Sequence, residues 1–69
     1  MKNTNQIFLS VIDKKTKEEI IDSIANNYGI SKTEAIDEVT SEESEHLLDY
    51  LSGPIRSAVS LLFKRYALA

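Results

Sequence analysis

The sequence of 69 residues has no cysteine and no tryptophan, and only two glycines, one proline and one histidine. The absence of cysteine excludes disulfide bonds, zinc–thiolate sites and a thiol nucleophile. No apolar run approaches the roughly eighteen residues that a membrane-spanning helix needs. The chain is also too short for two domains, so we expect a single small helical domain over residues 1–69, with residues 1–5 as a flexible N-terminus.

The N-terminal region also lacks the pattern of a secretion signal. Its apolar run, residues 7–12, is short and is interrupted by Ser10. Charged residues, Asp13-Lys14-Lys15, follow where a cleavage site has small residues. The absence of cysteine suits a reducing compartment. Together these features predict a cytoplasmic protein.

Two capping boxes predict the starts of two helices in the first half of the chain. In a capping box, a hydroxyl side chain accepts from the backbone N–H three residues later, and a glutamate at that later position reaches back. The two sequences are Thr16-Lys17-Glu18-Glu19 and Ser31-Lys32-Thr33-Glu34. Between them, Gly29 supplies the left-handed residue that commonly ends a helix. We therefore expect a tight helix–glycine–helix corner at this point.

A break in the second of these helices is predicted from the position of Glu43. An unbroken helix to Leu51 would place the Glu43 carboxylate inside the apolar stripe, where a lone charge is strongly unfavourable. Thr40-Ser41-Glu42-Glu43 has the pattern of a third capping box. We therefore expect a break near Thr40 and a separate helix from about Ser41 to Leu51.

The two ends of the chain differ in how clearly they can be interpreted. Gly53-Pro54 predicts a stop followed by a last helix from Pro54 to about Ala67, because proline suits the first turn of a helix. Residues 6–12 fit either a helix capped by Asn3, Thr4 or Asn5, or a strand with alternating apolar residues. A strand would need the same segment of a second copy, so we prefer the helix.

These patterns predict an all-α fold, a small bundle of three to four short helices joined by tight turns. The alternative is an N-terminal strand that gives a ribbon-helix-helix-like dimer. We expect the core to contain Ile20, Ile24, Tyr28, Ile36, Val39, Leu47, Leu51, Ile55, Val59, Leu62 and Tyr66.

The sequence around Gly29 resembles parts of two DNA-binding families. Residues 24–31, Ile-Ala-Asn-Asn-Tyr-Gly-Ile-Ser, resemble the first helix and turn of a helix-turn-helix unit. Residues 29–36, Gly-Ile-Ser-Lys-Thr-Glu-Ala-Ile, are similar to the start of the second helix of ribbon-helix-helix repressors. Both resemblances imply duplex DNA as the ligand. The following helix is acidic, however, and DNA phosphates would repel it, so nucleic acid is an alternative and not the expected partner.

One spacing in the middle of the chain is compatible with metal chemistry. Glu43-x-x-His46 has the spacing of half of a carboxylate-bridged di-metal site. A complete site needs a second such pair and two more glutamates, so one copy of this chain does not supply it. Histidine is the side-chain type that titrates near neutrality, but no organised nucleophile accompanies His46. We expect no catalytic residues, no metal, no cofactor and no enzymatic activity.

Charge is distributed unevenly along the chain. Residues 1–17 carry four lysines and one aspartate, a net charge of +3, and residues 51–69 carry three basic residues, also +3. Residues 18–50 carry ten acidic residues and one lysine, a net charge of −9. Such a segment can serve as a docking surface for a basic protein, because charge complementarity speeds encounter and excludes wrong partners. The candidate residues, called the acidic surface below, are Glu34, Asp37, Glu38, Glu42, Glu43 and Glu45.

The sequence therefore predicts a non-catalytic protein–protein interaction module without membrane association. Its protein partner is unknown, and a basic protein is the candidate. The alternative is a small DNA-binding transcriptional regulator of helix-turn-helix or ribbon-helix-helix type. Leu61 and Leu68 lie off the main apolar stripe of the last helix, separated from it by Arg65. These three residues predict either self-association as a homodimer or an intramolecular contact with the N-terminal segment.

Overall fold

The computed structural model describes residues 3–67, which form four α-helices and one 3₁₀ helix and contain no β-strand. α2 packs on α3, α1 also packs on α3, and the 3₁₀ helix packs on α4. The predicted all-α fold is confirmed, whereas the alternative N-terminal strand is wrong because residues 6–11 belong to a helix. The elements are α1 (Thr4–Val11), α2 (Lys14–Tyr28), α3 (Lys32–Thr40), the 3₁₀ helix (Leu47–Tyr50) and α4 (Gly53–Arg65).

α1 begins with a reciprocal pair of hydrogen bonds between amide side chains and backbone. The Asn3 side-chain oxygen accepts from the Gln6 N–H at 2.9 Å, and the Gln6 side-chain oxygen accepts from the Asn3 N–H at 2.9 Å. These bonds satisfy donors that a helix start otherwise leaves unpaired. Asn3, Thr4 and Asn5 thus belong to the cap and first turn of α1, and not to the flexible N-terminus expected for residues 1–5. Residues 1 and 2 lie outside the described residues.

α2 begins earlier than the capping box at Thr16 predicts. Asp13 is the N-cap, and its carboxylate accepts from the Thr16 hydroxyl at 2.6 Å and from the Thr16 N–H at 3.1 Å. These two bonds, the one from the hydroxyl first, lower the pKa of the Asp13 carboxyl. The predicted start at Thr16 is wrong because an aspartate three residues earlier caps a helix at least as well as threonine does.

The predicted corner between α2 and α3 is confirmed. Gly29 has φ +64° and ψ +37°, in the left-handed region, and the Ile30 N–H donates to the Ala25 carbonyl at 3.0 Å. Ser31 then caps α3, because its hydroxyl oxygen accepts from the Glu34 N–H at 3.1 Å. The Glu34 carboxylate contacts the Ser31 hydroxyl at 3.1 Å. Both ends of the corner are therefore fixed by local hydrogen bonds.

The predicted break at Thr40 is confirmed, but the helix expected from Ser41 to Leu51 is wrong. Residues 41–46 are not helical, and the 3₁₀ helix that follows covers only Leu47–Tyr50. Thr40 does not cap a new helix, because its hydroxyl donates to the Ile36 carbonyl at 2.7 Å, inside α3. Glu43 consequently lies in a turn and is exposed.

Amide side chains of α1 replace the missing helical hydrogen bonds of residues 40–47. Asn3 and Gln6 donate to the carbonyls of Ser41 and Thr40 at 2.8 and 2.7 Å. Asn5, which is only 3% exposed, donates to the Glu45 carbonyl at 2.6 Å and accepts from the Leu47 N–H at 2.8 Å. Buried backbone groups need such partners, so this segment is held in a non-helical path by side chains about forty positions away.

The core differs from the expected one at its edges. Tyr28, Ile36 and Tyr66 are 54%, 36% and 39% exposed, so their placement in the core is wrong, whereas Ile55 and Leu62 are partly buried against it. The rings of Phe8 and Phe63 stack at a centroid distance of 3.9 Å and join α1 to α4. The buried apolar residues are Phe8, Leu9, Ile20, Ile21, Ile24, Ala25, Ala35, Val39, Leu47, Tyr50, Leu51, Val59 and Phe63.

Candidate functional site

All six residues of the acidic surface are exposed. Within residues 3–67 the structure shows one ion pair, between Lys32 and Asp22 at 3.1 Å, and neither residue belongs to this surface. No cation of the described chain therefore neutralises the six carboxylates at ion-pair distance. Their charge is available to an external group, and it also produces mutual repulsion within the free protein.

Tyr50 connects the α3 part of the acidic surface to the part in residues 41–46. Its hydroxyl donates to a carboxylate oxygen of Glu38 at 3.3 Å and accepts from the backbone N–H of Glu45 at 3.3 Å. Glu34 lies one helical turn before Glu38, so the two side chains share a face of α3. Burial, and to a smaller extent the charges of Glu38 and Glu45, raise the pKa of the Tyr50 hydroxyl. Tyr50 thus contacts the carboxylate of Glu38 and the backbone of Glu45, and Glu34 lies one helical turn before Glu38.

A second tyrosine adds an exposed aromatic ring to this region. Tyr28, the last residue of α2, meets Tyr50 edge to face at a centroid distance of 5.8 Å. More than half of the Tyr28 side chain remains accessible to solvent. The arrangement combines an accessible ring with carboxylates on neighbouring elements. An arginine side chain can bind both kinds of group, through charge-assisted hydrogen bonds and through stacking.

The other four acidic residues are not held at Tyr50 by any described contact, and the Glu34 carboxylate contacts the Ser31 hydroxyl instead. Asp37 lies about 100° around α3 from Glu38, and Glu42 and Glu43 lie in the turn after α3. The acidic surface therefore has two parts, an ordered group at Tyr50 and a set of dispersed charges beside it. Sequence reasoning identified the six acids but missed both tyrosines, because the apolar stripe placed Tyr28 in the core.

Asp37 and Glu38 also occupy an electrostatically unfavourable place in α3. Both lie in its last turn, which contains no basic residue. Carboxylates are disfavoured there, because the C-terminal end of a helix carries partial negative charge. Residues that destabilise their own local structure are often found at functional positions. The acidic residues at the C-terminal end of α3 are of this kind.

The Glu43-x-x-His46 spacing does not build a metal site in one copy of the chain. In residues 3–67 no three histidine, aspartate or glutamate side chains converge in a way that could hold a metal ion. The His46 ring packs on the Phe63 ring at a centroid distance of 4.8 Å, and the Nδ1 atom of His46 accepts from the Leu48 N–H at 3.2 Å. His46 therefore caps the 3₁₀ helix.

The predicted self-association residues on α4 are only partly described. Leu61 is 67% exposed and Arg65 is exposed. Leu68 lies outside the described residues. The alternative role of Leu61, an intramolecular contact with the N-terminal segment, is wrong because most of its side chain faces solvent.

A third surface, at the junction of α1, α2 and α3, was missed by sequence reasoning. It contains two hollows that share Lys17 and Ile36 among their lining residues. No sequence signal marks this surface, because Ile36 belongs to the apolar stripe of α3 and looks like a core residue.

Comparison of this chain with protein families, with characterised proteins and with solved structures finds no match. None of the helices in residues 3–67 is long and apolar enough to cross a membrane.

Proposed function

We propose that the chain is a non-catalytic, cytoplasmic protein–protein interaction module whose acidic surface docks on a basic partner. The observation that carries this proposal is the group at Tyr50, whose hydroxyl contacts the Glu38 carboxylate and the Glu45 backbone beside the exposed ring of Tyr28. An arginine of the partner would pair with the carboxylates and stack on Tyr28. Arginine and tyrosine are both enriched among residues that dominate binding energy at protein interfaces.

Two features of the free protein support an external basic partner. The six carboxylates have no cation within ion-pair distance in the described part of the chain. The acids in the last turn of α3 also oppose the helix dipole. A basic partner would relieve both kinds of repulsion on binding, so charge that costs stability in the free protein would contribute affinity in the complex.

The test compares charge reversals inside and outside the acidic surface. Glu38→Lys and Glu42→Lys change the surface, and Glu19→Lys is the matched control, an exposed helical glutamate on α2. Each reversal replaces an attraction of about 0.2–1 kcal/mol by a repulsion of similar size, so we expect Glu38→Lys to weaken binding by about tenfold.

The measurement is affinity capture from the native host, with the retained protein then purified and its dissociation constant determined for each variant. A partner that binds the wild type and Glu19→Lys equally, and Glu38→Lys and Glu42→Lys more weakly, supports the proposal. A partner that binds all four proteins with the same affinity contradicts it. Added salt should weaken the wild-type complex, because salt screens exposed charges.

A DNA-binding regulator of helix-turn-helix type is the second candidate, and the corner at Gly29 is the observation that favours it. The ribbon-helix-helix version lacks its strand in this structure. A salt titration of binding to duplex DNA separates the candidates, because phosphate contacts give a steep decrease of affinity with salt. Tight DNA binding with that slope would replace the interaction module as the proposed function.

A further inference from the structure

α4 exposes a face that combines basic charge with an accessible leucine. Leu61 is 67% exposed, and Lys64 and Arg65 lie three and four positions after it, on the same side of the helix and also exposed. α4 contains no aspartate or glutamate. The one ion pair within residues 3–67 lies elsewhere, between α2 and α3, so no carboxylate of the described chain neutralises these two cations. We call Leu61, Lys64 and Arg65 the α4 face.

The α4 face is complementary to the group at Tyr50 in charge and in chemistry. That group presents the Glu38 carboxylate beside the exposed ring of Tyr28. Arg65 supplies a guanidinium, which can pair with a carboxylate and stack on an aromatic ring. Leu61 supplies apolar surface, which is stabilised when an aromatic ring covers it and excludes water. One contact thus covers two surfaces that have no partner in the described part of a single copy.

The signs of the charges decide which surfaces of two copies can meet. An α4 face placed on a second α4 face would bring like charges together, and so would two acidic surfaces. An α4 face placed on the acidic surface of another copy brings opposite charges together. Lys64 and Arg65 also suit the C-terminal end of their own helix, but the helix dipole gives no reason for an exposed leucine beside them.

We propose that the basic partner of the acidic surface is the α4 face of a second copy of this chain, with Arg65 of one copy at Glu38 and Tyr28 of the other. This rests on the proposed function, because it uses the same acidic surface, and it names the partner. It also gives Leu61 and Arg65 a role in self-association that differs from a contact between two α4 helices.

The test is sedimentation equilibrium of the wild type from about 5 μM to about 1 mM, the range in which weak complexes dissociate. We expect self-association that added salt weakens. Arg65→Glu should weaken it by about tenfold, whereas Arg56→Glu, the matched control, should change it by less than about twofold. Arg56 is an exposed arginine of the same helix, about 140° around the axis from Leu61. Circular dichroism checks that each variant is folded.

An exchange of charges tests whether the two surfaces are partners of each other. Glu38→Lys alone should associate as weakly as Arg65→Glu alone. An equimolar mixture of the two variants should associate, because each variant keeps the surface that the other has lost. Leu61→Ser changes the α4 face without changing its charge, and it should weaken association by about fivefold. A mixture of folded variants that stays monomeric contradicts the proposal.

Failure of this proposal can be distinguished from failure of the proposed function. A wild type that is monomeric at every concentration overturns the second copy as partner, and so does a folded Arg65→Glu that associates like the wild type. If a different basic protein then binds Glu38→Lys more weakly than Glu19→Lys, the acidic surface remains a docking site. Self-association that Glu38→Lys leaves unchanged contradicts the contact proposed here.

Discussion

Replacement of Asn5 by alanine should remove most of the stability of this small protein. The Asn5 side chain accepts from the buried N–H of Leu47 and donates to the Glu45 carbonyl at 2.6 Å. Leaving a buried donor without a partner costs about 1–3 kcal/mol, and the lost bond to the carbonyl adds about 1 kcal/mol. The expected decrease in the free energy of unfolding is therefore about 2–4 kcal/mol. A core of this size rarely supplies more than about 3–5 kcal/mol.

The assay is urea unfolding of Asn5→Ala and of the wild type, followed by far-ultraviolet circular dichroism. Asn26→Ala is the matched control, since Asn26 is exposed on α2 and should change the free energy of unfolding by less than about 0.5 kcal/mol. The reasoning is refuted if Asn5→Ala loses less than about 1 kcal/mol, or if the control loses as much. Either result would mean that water replaces Asn5 at Leu47, or that residues 41–47 do not need α1.

Three further outcomes are expected. Gly29→Ala should lower the free energy of unfolding by about 1–2 kcal/mol in urea titrations, because φ at this position is +64°, which an L side chain rarely adopts. An added Cβ would meet no atom within 4 Å, so the loss comes from the backbone conformation alone. An unchanged free energy of unfolding would argue against the left-handed corner. In an ultraviolet pH titration, Tyr50→Phe should remove a tyrosine whose pKa is raised above its ordinary value by burial. The wild type should lose stability as the pH rises through that raised pKa, because burial disfavours the ionised hydroxyl. Asp13→Ala should lower the melting temperature near neutral pH. The difference from the wild type should disappear as the pH falls through the lowered pKa of Asp13, because that carboxyl stabilises the fold only when ionised. A difference in melting temperature that is independent of pH would contradict this.

Sequence reasoning succeeded where neighbouring residues determine the structure. The corner at Gly29 depends on a left-handed glycine and on the Ser31 cap, which are both local. The break at Thr40 follows from the cost of burying Glu43. The late start predicted for α2 shows the limit of the approach, since Asp13 and Thr16 are both good caps and only the structure distinguishes them.

Residues 41–47 were beyond sequence reasoning because distant side chains determine their path. Helical hydrogen bonds and the amides of α1 compete for the same backbone groups, and the amides prevail. A pattern of neighbouring residues contains no record of a bond between Asn5 and Leu47, which lie 42 positions apart. The helix predicted for this segment is wrong for that reason, and the position of Glu45 relative to Tyr50 was equally unpredictable.

The exposed side chains of Tyr28 and Ile36 have a common physical cause. The predicted apolar stripe of a helix spans about 140° of its circumference. In a bundle with so few residues, the neighbouring helices bury a narrower arc than that. The centre of the stripe, such as Ile24 in α2 and Val39 in α3, is buried, and its edges remain accessible. One of those edges, Tyr28, also belongs to the surface on which the proposed function depends.

The stacked rings of Phe8 and Phe63 have a consequence for the order in which the chain folds during synthesis. Phe8 is synthesised about 55 residues before Phe63. At about 5–20 residues per second, α1 waits several seconds for this neighbour. Until then the nascent chain exposes an unpaired aromatic ring, and that interval is when it is most open to chaperones and to aggregation.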